Sequence, residues 1–307
     1  MIEVEHLRKE YGTLVAVKNL SLTLSEGDIF GFIGPNGAGK TTTLKILATL
    51  LLPTAGRARI GGYDVVRHPE EVRAIIGYMP DSFGVYDDIK VWEYLDFFAA
   101  AYKIPPAKRR QIIDEVLALT DLTGKKDAYV ETLSRGMRQR LCLAKTLVHD
   151  PQVLLLDEPA SGLDPRARVE IKELLKELRR MGKTIMVSSH ILPELADFCN
   201  KIGIIEQGEL IVSGDVQAIV EQVQGGRPLR AAVAAEDLTR AAEWLAQRDD
   251  VRGVETDEGE LQFHYTGTDP ADLLRELVLA GIRVRAFGER QTDLEDVFMK
   301  VTQGVVS

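Results

Sequence analysis

The residues Gly34-Pro35-Asn36-Gly37-Ala38-Gly39-Lys40-Thr41 fit the pattern G-x-x-x-x-G-K-[ST], and that pattern has a chemistry. Glycines let the backbone turn tightly, so that successive N–H groups point inward at phosphate oxygens. Lys40 can reach the outer phosphates of a nucleoside triphosphate as a point charge, and Thr41 offers a hydroxyl to Mg²⁺. A second set lies at Asp157-Glu158, at the end of the apolar run Val153 to Leu156. A carboxylate at the end of a buried strand can hold Mg²⁺, usually through water, because that ion dehydrates reluctantly. The next residue, Glu158, can orient or deprotonate an attacking water. An isolated Asp-Glu pair would be a solvated strand end; behind a phosphate loop the pair gains a use.

These groups need strands that end at a common edge, and the sequence supplies them. Ile29 to Ile33, Val153 to Leu156, Thr184 to Ser188 and Ile202 to Ile205 are short apolar runs of the kind buried on both faces of a parallel sheet. The phosphate loop follows the first of these and precedes a helix with Leu44, Leu47 and Leu51 on one face. Asp164-Pro165 is an N-cap and first-turn proline for a helix carrying Ile171, Leu174, Leu175 and Leu178, stopped by Gly182. The alternation predicts an α/β domain. Ile2 to Glu5, Leu20 to Leu24 and Arg57 to Ile60 are expected to form an antiparallel side sheet. The stretch from about Val91 to Val148 lacks strand patterns and reads as an inserted helical subdomain, placed at about 88–150.

Near Gly225-Gly226-Arg227-Pro228 the composition is that of a linker. Beyond it the order strand, helix, two strands, helix, strand (Leu229 to Phe287) predicts a small α+β domain of the ferredoxin-like pattern, with a closing helix from about Leu294. The expected domains are 1–222 and 228–307. The net charge of -9 argues against nucleic acid as a partner. Cys142 and Cys199, the two cysteines, have no metal-like spacing and read as reduced, buried thiols. The first residues resemble no signal peptide, and no uncharged apolar run is long enough to cross a bilayer.

From residue 1 to about 220 the chain resembles the nucleotide-binding subunits of ABC transporters. Leu133-Ser134-Arg135-Gly136-Met137 stands where that family has its signature, Leu154 to Pro159 is similar to its Walker B strand with the catalytic Glu, and Ser161-Gly162-Leu163-Asp164 to its D-loop. The resemblance implies a P-loop NTPase (RecA-like) core with an antiparallel β subdomain. It implies that ATP is bound by Gly34 through Thr42, with Tyr11 stacked on adenine and His190 sensing the γ-phosphate. It also implies catalysis by Glu158, His190 and Lys40, and Mg²⁺ held by Thr41 and Asp157. Ser134 and Gly136 would complete the ATP site of a second subunit, giving a head-to-tail dimer around two ATPs, most simply a homodimer. The dimer would drive a separate transmembrane permease from the cytoplasmic face of the membrane. The signature form and the run Asp293 to Phe298 look most like prokaryotic export-type subunits serving drug and lipid efflux.

Two departures matter. Arg135 and Met137 replace a Gly and a Gln of the signature; Arg135 either contacts nucleotide or faces solvent. Asp81 follows the strand ending Tyr78-Met79-Pro80, where the family has Gln, and is expected to sense the metal with a stronger field. These departures keep a second reading open, a regulatory module that holds ATP without hydrolysing it. Phe83, Val85 and Tyr86 with Trp92, Tyr94, Phe97 and Phe98 form an aromatic-rich stretch. Most of these are expected in a core, with some exposed apolar surface for a helix of the permease.

Overall fold

The computed structural model describes residues 1–82, 84, 88–191, 195, 198–216, 218–219, 226–257 and 259–289. The expected closing helix and the run from Asp293, together with Phe83, Val85 and Tyr86, lie outside them. The chain divides into two compact units at the Ser213/Gly214 junction.

The first unit opens with two long strands, β1 (Ile2–Tyr11) and β2 (Leu14–Leu24), paired antiparallel. β1 runs well past the expected Glu5 because register shifts after Val4 and Leu7, with His6 at φ 49°, break its alternation. Next come β3 (Ile29–Ile33) and the helix α1 (Lys40–Leu47), then β4 (Ala55–Ile60) and β5 (Tyr63–Asp64), which complete a sheet of order β2-β1-β4-β5. A short helix α2 (Pro69–Ile75) leads into β6 (Ile76–Met79). Three helices follow, α3 (Val91–Ala101), α4 (Pro106–Leu119) and α5 (Arg135–Leu147), packed on one another through buried residues such as Leu95, Leu117 and Leu141. The chain then returns to the central sheet with β7 (Val153–Leu156), α6 (Pro165–Arg180), β8 (Thr184–Ser189), β9 (Lys201–Glu206) and β10 (Glu209–Asp215).

The central sheet has the order β10-β9-β3-β8-β7-β6. β3, β8, β7, β6 and β9 pair parallel, and every residue of β3, β7 and β8 is buried, as continuous apolar runs predict. One core joins both sheets: Leu44, Ile46 and Leu47 of α1 pack with Leu7, Leu20 and Leu24 on one side and Phe32, Leu155 and Met186 on the other. That packing fixes the axis of α1, and hence the direction in which its first N–H groups point. Asp164 caps α6, accepting from Ala167 N at 3.0 Å, with Pro165 in the first turn.

The second unit contains β11 (Arg227–Val233), α7 (Leu238–Ala246), β12 (Val251–Asp257), β13 (Glu260–Tyr265), α8 (Pro270–Leu279) and β14 (Val284–Glu289). Its antiparallel sheet has the order β12-β13-β11-β14, consistent with the ferredoxin-like expectation. Leu229, Ala231, Leu261 and Phe263 face Leu245, Leu273 and Leu277 of the two helices in its core.

Candidate functional site

The turn between β3 and α1 is held open by close backbone packing. A Cβ at Gly34 would lie 2.2 Å from the carbonyl oxygen of Ile205, and one at Gly39 would lie 2.6 Å from that of Ala16. Gly39 also has φ +108°, a conformation that side-chain-bearing residues rarely adopt. Gly39 is the N-cap of α1 without a side-chain cap, so the first amides of the helix face the cleft. The loop is anchored to the sheet by Gly34 N donating to Ser189 O at 3.3 Å and Gly208 N donating to Ala38 O at 3.0 Å.

A cleft of about 400 Å³ opens over this turn. Asn36 through Thr42 line it, with Tyr11, Leu14 and Ala16 from the side sheet and Asp81, Glu158, Ser161 and His190 from the ends of the central strands. Tyr11 is 45 % exposed, with Lys9 Nζ 5.0 Å from its ring centroid. Lys40 is buried, donates to the carbonyls of Gly34 (2.6 Å) and Pro35 (3.2 Å), and lies 3.6 Å from Glu158 Oε1. Burial pushes its pKa down, opposed by the charges of Glu158 and Asp157.

The acidic pair is organised by a residue that sequence reasoning missed. Ser188 Oγ donates to Asp157 Oδ1 at 2.6 Å and accepts from Glu158 N at 3.0 Å. A polar residue inside the apolar run Thr184 to Ser189 was the available signal. The second oxygen, Asp157 Oδ2, is buried without a hydrogen-bond partner, and a buried carboxylate oxygen in that condition suits a cation or its bound water. Among the described residues no group of three or more His, Cys, Asp or Glu is placed to hold a metal ion. Glu158 takes a left-handed backbone (φ 50°), and His190 Nδ1 lies 2.9 Å from Glu158 Oε2.

Ser134 and Gly136 are not in this cleft. Ser134 caps α5, its Oγ accepting from Met137 N at 3.3 Å, and both residues line a separate cleft of about 220 Å³ with Gly162, Leu163 and Asp164. Arg135 turns toward the neighbouring loop, donating to Ser161 O at 3.2 Å. A third cleft, of about 250 Å³, is lined by Leu50, Tyr78, Phe98, Tyr102, Arg73 and Lys145. Of the aromatic stretch, Tyr94 is buried and Phe97 is 57 % exposed. Cys142 and Cys199 are free, buried thiols; burial pushes Cys142 up to about 11. Among the described residues no helix is long and apolar enough to cross a membrane.

Comparison with known proteins agrees with this geometry. The ABC transporter family matches residues 17–161, and the C-terminal domain of DrrA1-3-like ATP-binding proteins matches residues 214–302. The chain is 35 % identical over 304 residues to the Nod factor export ATP-binding protein I of Cupriavidus metallidurans, covering 98 % of this chain and 97 % of that one. It is 34 % identical to the daunorubicin resistance ATP-binding protein DrrA2 of Streptomyces coeruleorubidus (98 % and 94 % covered) and 30 % identical to the linearmycin resistance ATP-binding protein LnrL of Bacillus subtilis (98 % of each). Among solved structures, an ATP-binding subunit of an ABC transporter superposes with a TM-score of 0.66 at 28 % identity, covering 72 % of this chain and 92 % of that one. A dimeric ATP-binding cassette in a post-hydrolysis state with ADP and Pi superposes with a TM-score of 0.64 at 26 % identity, covering 70 % and 99 %. The phosphate turn, the acidic pair behind it and this likeness along nearly the whole chain make the protein a member of the ABC transporter family, an ATP-hydrolysing, ATP-binding subunit of the export type.

Proposed function

We propose that the cleft over Gly34–Thr42 holds one ATP, with adenine against Tyr11 and the phosphates on the amides of the turn. Lys40 leaves the loop carbonyls for the β- and γ-phosphates. Thr41 and Asp157 would hold Mg²⁺, with Asp81 lining the same cleft, and the ion would supply neutralisation of phosphate charge. Glu158 accepts a proton from water as the water oxygen bonds to the γ-phosphorus and the bond to the β-phosphate bridging oxygen breaks, giving ADP and phosphate. His190, hydrogen-bonded to Glu158, orients that carboxylate toward the γ-phosphate side. The orphaned oxygen of Asp157 behind the phosphate turn is the observation that carries this reading.

One chain carries the phosphate turn in one cleft and Ser134 with Gly136 in another. A head-to-tail dimer of two copies would join the unlike halves around two ATPs. The partner that receives the motion is a separate transmembrane permease, engaged from the cytoplasmic side; the exposed Leu50, with Phe98 and Tyr102 beside Lys145 and Arg73, suits a helix of that partner. The names of the relatives, Nod factor export and daunorubicin and linearmycin resistance, support an exported cargo of the drug class. The ATP-binding domain would span 1–222, with the helical subdomain at about 88–150, and the accessory domain 228–307.

Glu158→Gln is the direct test. The variant should bind ATP, hydrolyse it at least about a hundredfold more slowly, and accumulate as a dimer by light scattering. Turnover equal to that of the wild type would refute the assignment of Glu158.

A further inference from the structure

Two side chains one helical turn apart join α5 to the loop that follows Glu158. Gln139, itself buried, donates from Nε2 to the carbonyl of Pro159 at 2.9 Å. Arg135, four residues earlier and so on the same helix face, donates from Nη2 to the carbonyl of Ser161 at 3.2 Å. The guanidinium also covers Gly162. A Cβ built there would lie 2.2 Å from Nη2, 2.4 Å from Cζ and 2.6 Å from Nη1 of Arg135. Near-equal distances to three atoms mean that the planar group lies against the glycine's α-carbon. Gly162 has φ +66° besides, so glycine is required there by conformation and by approach. At Gly136 a Cβ would meet Ala167 Cβ at 3.4 Å, so α6 also packs closely on α5 here.

The loop gripped in this way begins with Glu158 in its left-handed backbone and includes Ser161, which lines the phosphate cleft. Arg135 itself is not among the residues lining that cleft; it lines the separate cleft of Ser134 and Gly136.

We propose that Arg135, with Gln139, is a positioning residue for hydrolysis: it clasps the 159–162 turn to α5 and so holds Glu158 in place without contacting ATP in its own chain. This rests on the reading of Glu158 as the water-activating group. The residue type suits the task, because a guanidinium donates to a carbonyl while lying flat on a glycine, and an ammonium does only the first. A consequence is that Ser134, at the tip of α5, and Glu158 move as one body, although they serve different clefts.

Steady-state ATPase kinetics and equilibrium ATP binding of the full chain test this in Arg135→Ala, Arg135→Lys, Gly162→Ala and the Arg135→Ala/Gly162→Ala double variant, with Glu158→Gln as control. Arg135→Ala should lower kcat about tenfold, the scale of one charge-assisted hydrogen bond, with ATP affinity and KM within about twofold. Arg135→Lys should recover less than half of that loss. Gly162→Ala should lower kcat alone, and by less in the Arg135→Ala background, because both changes act on one contact. Unchanged affinity in each variant also reports an intact phosphate site. Three results would overturn the proposal: kcat within twofold of wild type in Arg135→Ala; additive losses in the double variant; or a raised KM at constant kcat that Lys restores, which would make Arg135 a charge contact to nucleotide. Full turnover by Glu158→Gln would remove the underlying assignment as well, whereas an inactive Glu158→Gln beside a fully active Arg135→Ala would remove the clasp alone.

Discussion

Ser188→Ala perturbs the acidic pair without touching the phosphate turn. Ser188 is fully buried, and its hydroxyl makes two bonds, to Asp157 Oδ1 and from Glu158 N. Alanine removes both at once. The bond to the carboxylate is worth about 1.5–3 kcal/mol, and an orphaned buried N–H costs about 1–3 kcal/mol. The two losses share one atom and partly overlap, so the folded state should be weakened by about 3 kcal/mol. In a unit of roughly 200 residues that corresponds to a fall in melting midpoint of about 6–12 °C. If half of the loss reaches the transition state through misplaced carboxylates, kcat falls about tenfold. ATP affinity should change by less than about twofold, because the amides of Gly34–Thr41 do not depend on Ser188. Differential scanning fluorimetry, steady-state ATPase assays and nucleotide binding read the three quantities. An unchanged midpoint with unchanged kcat would refute the reasoning, and so would lost ATP binding at constant kcat.

Two further outcomes are expected. Asp81→Gln, which exchanges an anion lining the cleft for an amide, should shift the Mg²⁺ concentration needed for half-maximal hydrolysis upward by several-fold, about 1 kcal/mol of lost field; identical metal dependence would remove Asp81 from the metal's surroundings. His149 is half-buried and stacked on Tyr102 at 3.7 Å, with Nε2 2.7 Å from Ile76 O and a buried Nδ1 without a hydrogen-bond partner. Burial holds its pKa below the ordinary 6.5, with Lys183 adding to the effect and the Ile76 bond and Asp150 opposing it. The unfolded chain therefore takes up a proton first as pH falls, so this contribution to stability is present above about pH 6.5 and lost below it. The melting midpoint should drop more steeply between pH 7.5 and 5.5 in the wild type than in His149→Gln; parallel curves would contradict this.

The parts of the site that were legible in the sequence are those fixed by local chemistry. Gly34 to Thr41 names its own turn, and β3, β7 and β8 are buried on both faces, so their apolar runs are continuous. Asp157 and Glu158 end such a run. Elements with weaker patterns were harder to read: β10 has a face that is only half-buried and no fully buried residue, and β1 loses its alternation at its register shifts. Ser188 shows in the sequence only as a polar residue in an apolar run, and a serine in a strand has no unique meaning until Asp157 is placed beside it. Arg135 left two uses open in the sequence; only the backbone path of Ser161 and Gly162 shows the carbonyl and the bare α-carbon that receive it.

The central claim is that amides of the Gly34–Thr41 turn, with Lys40, bind a triphosphate in front of Asp157 and Glu158. Equilibrium binding of ATP with Mg²⁺ to the purified chain, compared with Lys40→Ala, measures it most directly. Retention of ATP at millimolar concentration by the wild type, weakened at least about tenfold in Lys40→Ala, is expected from the loss of one buried charge facing the phosphates. Equal retention by both proteins, or none by the wild type, would contradict it.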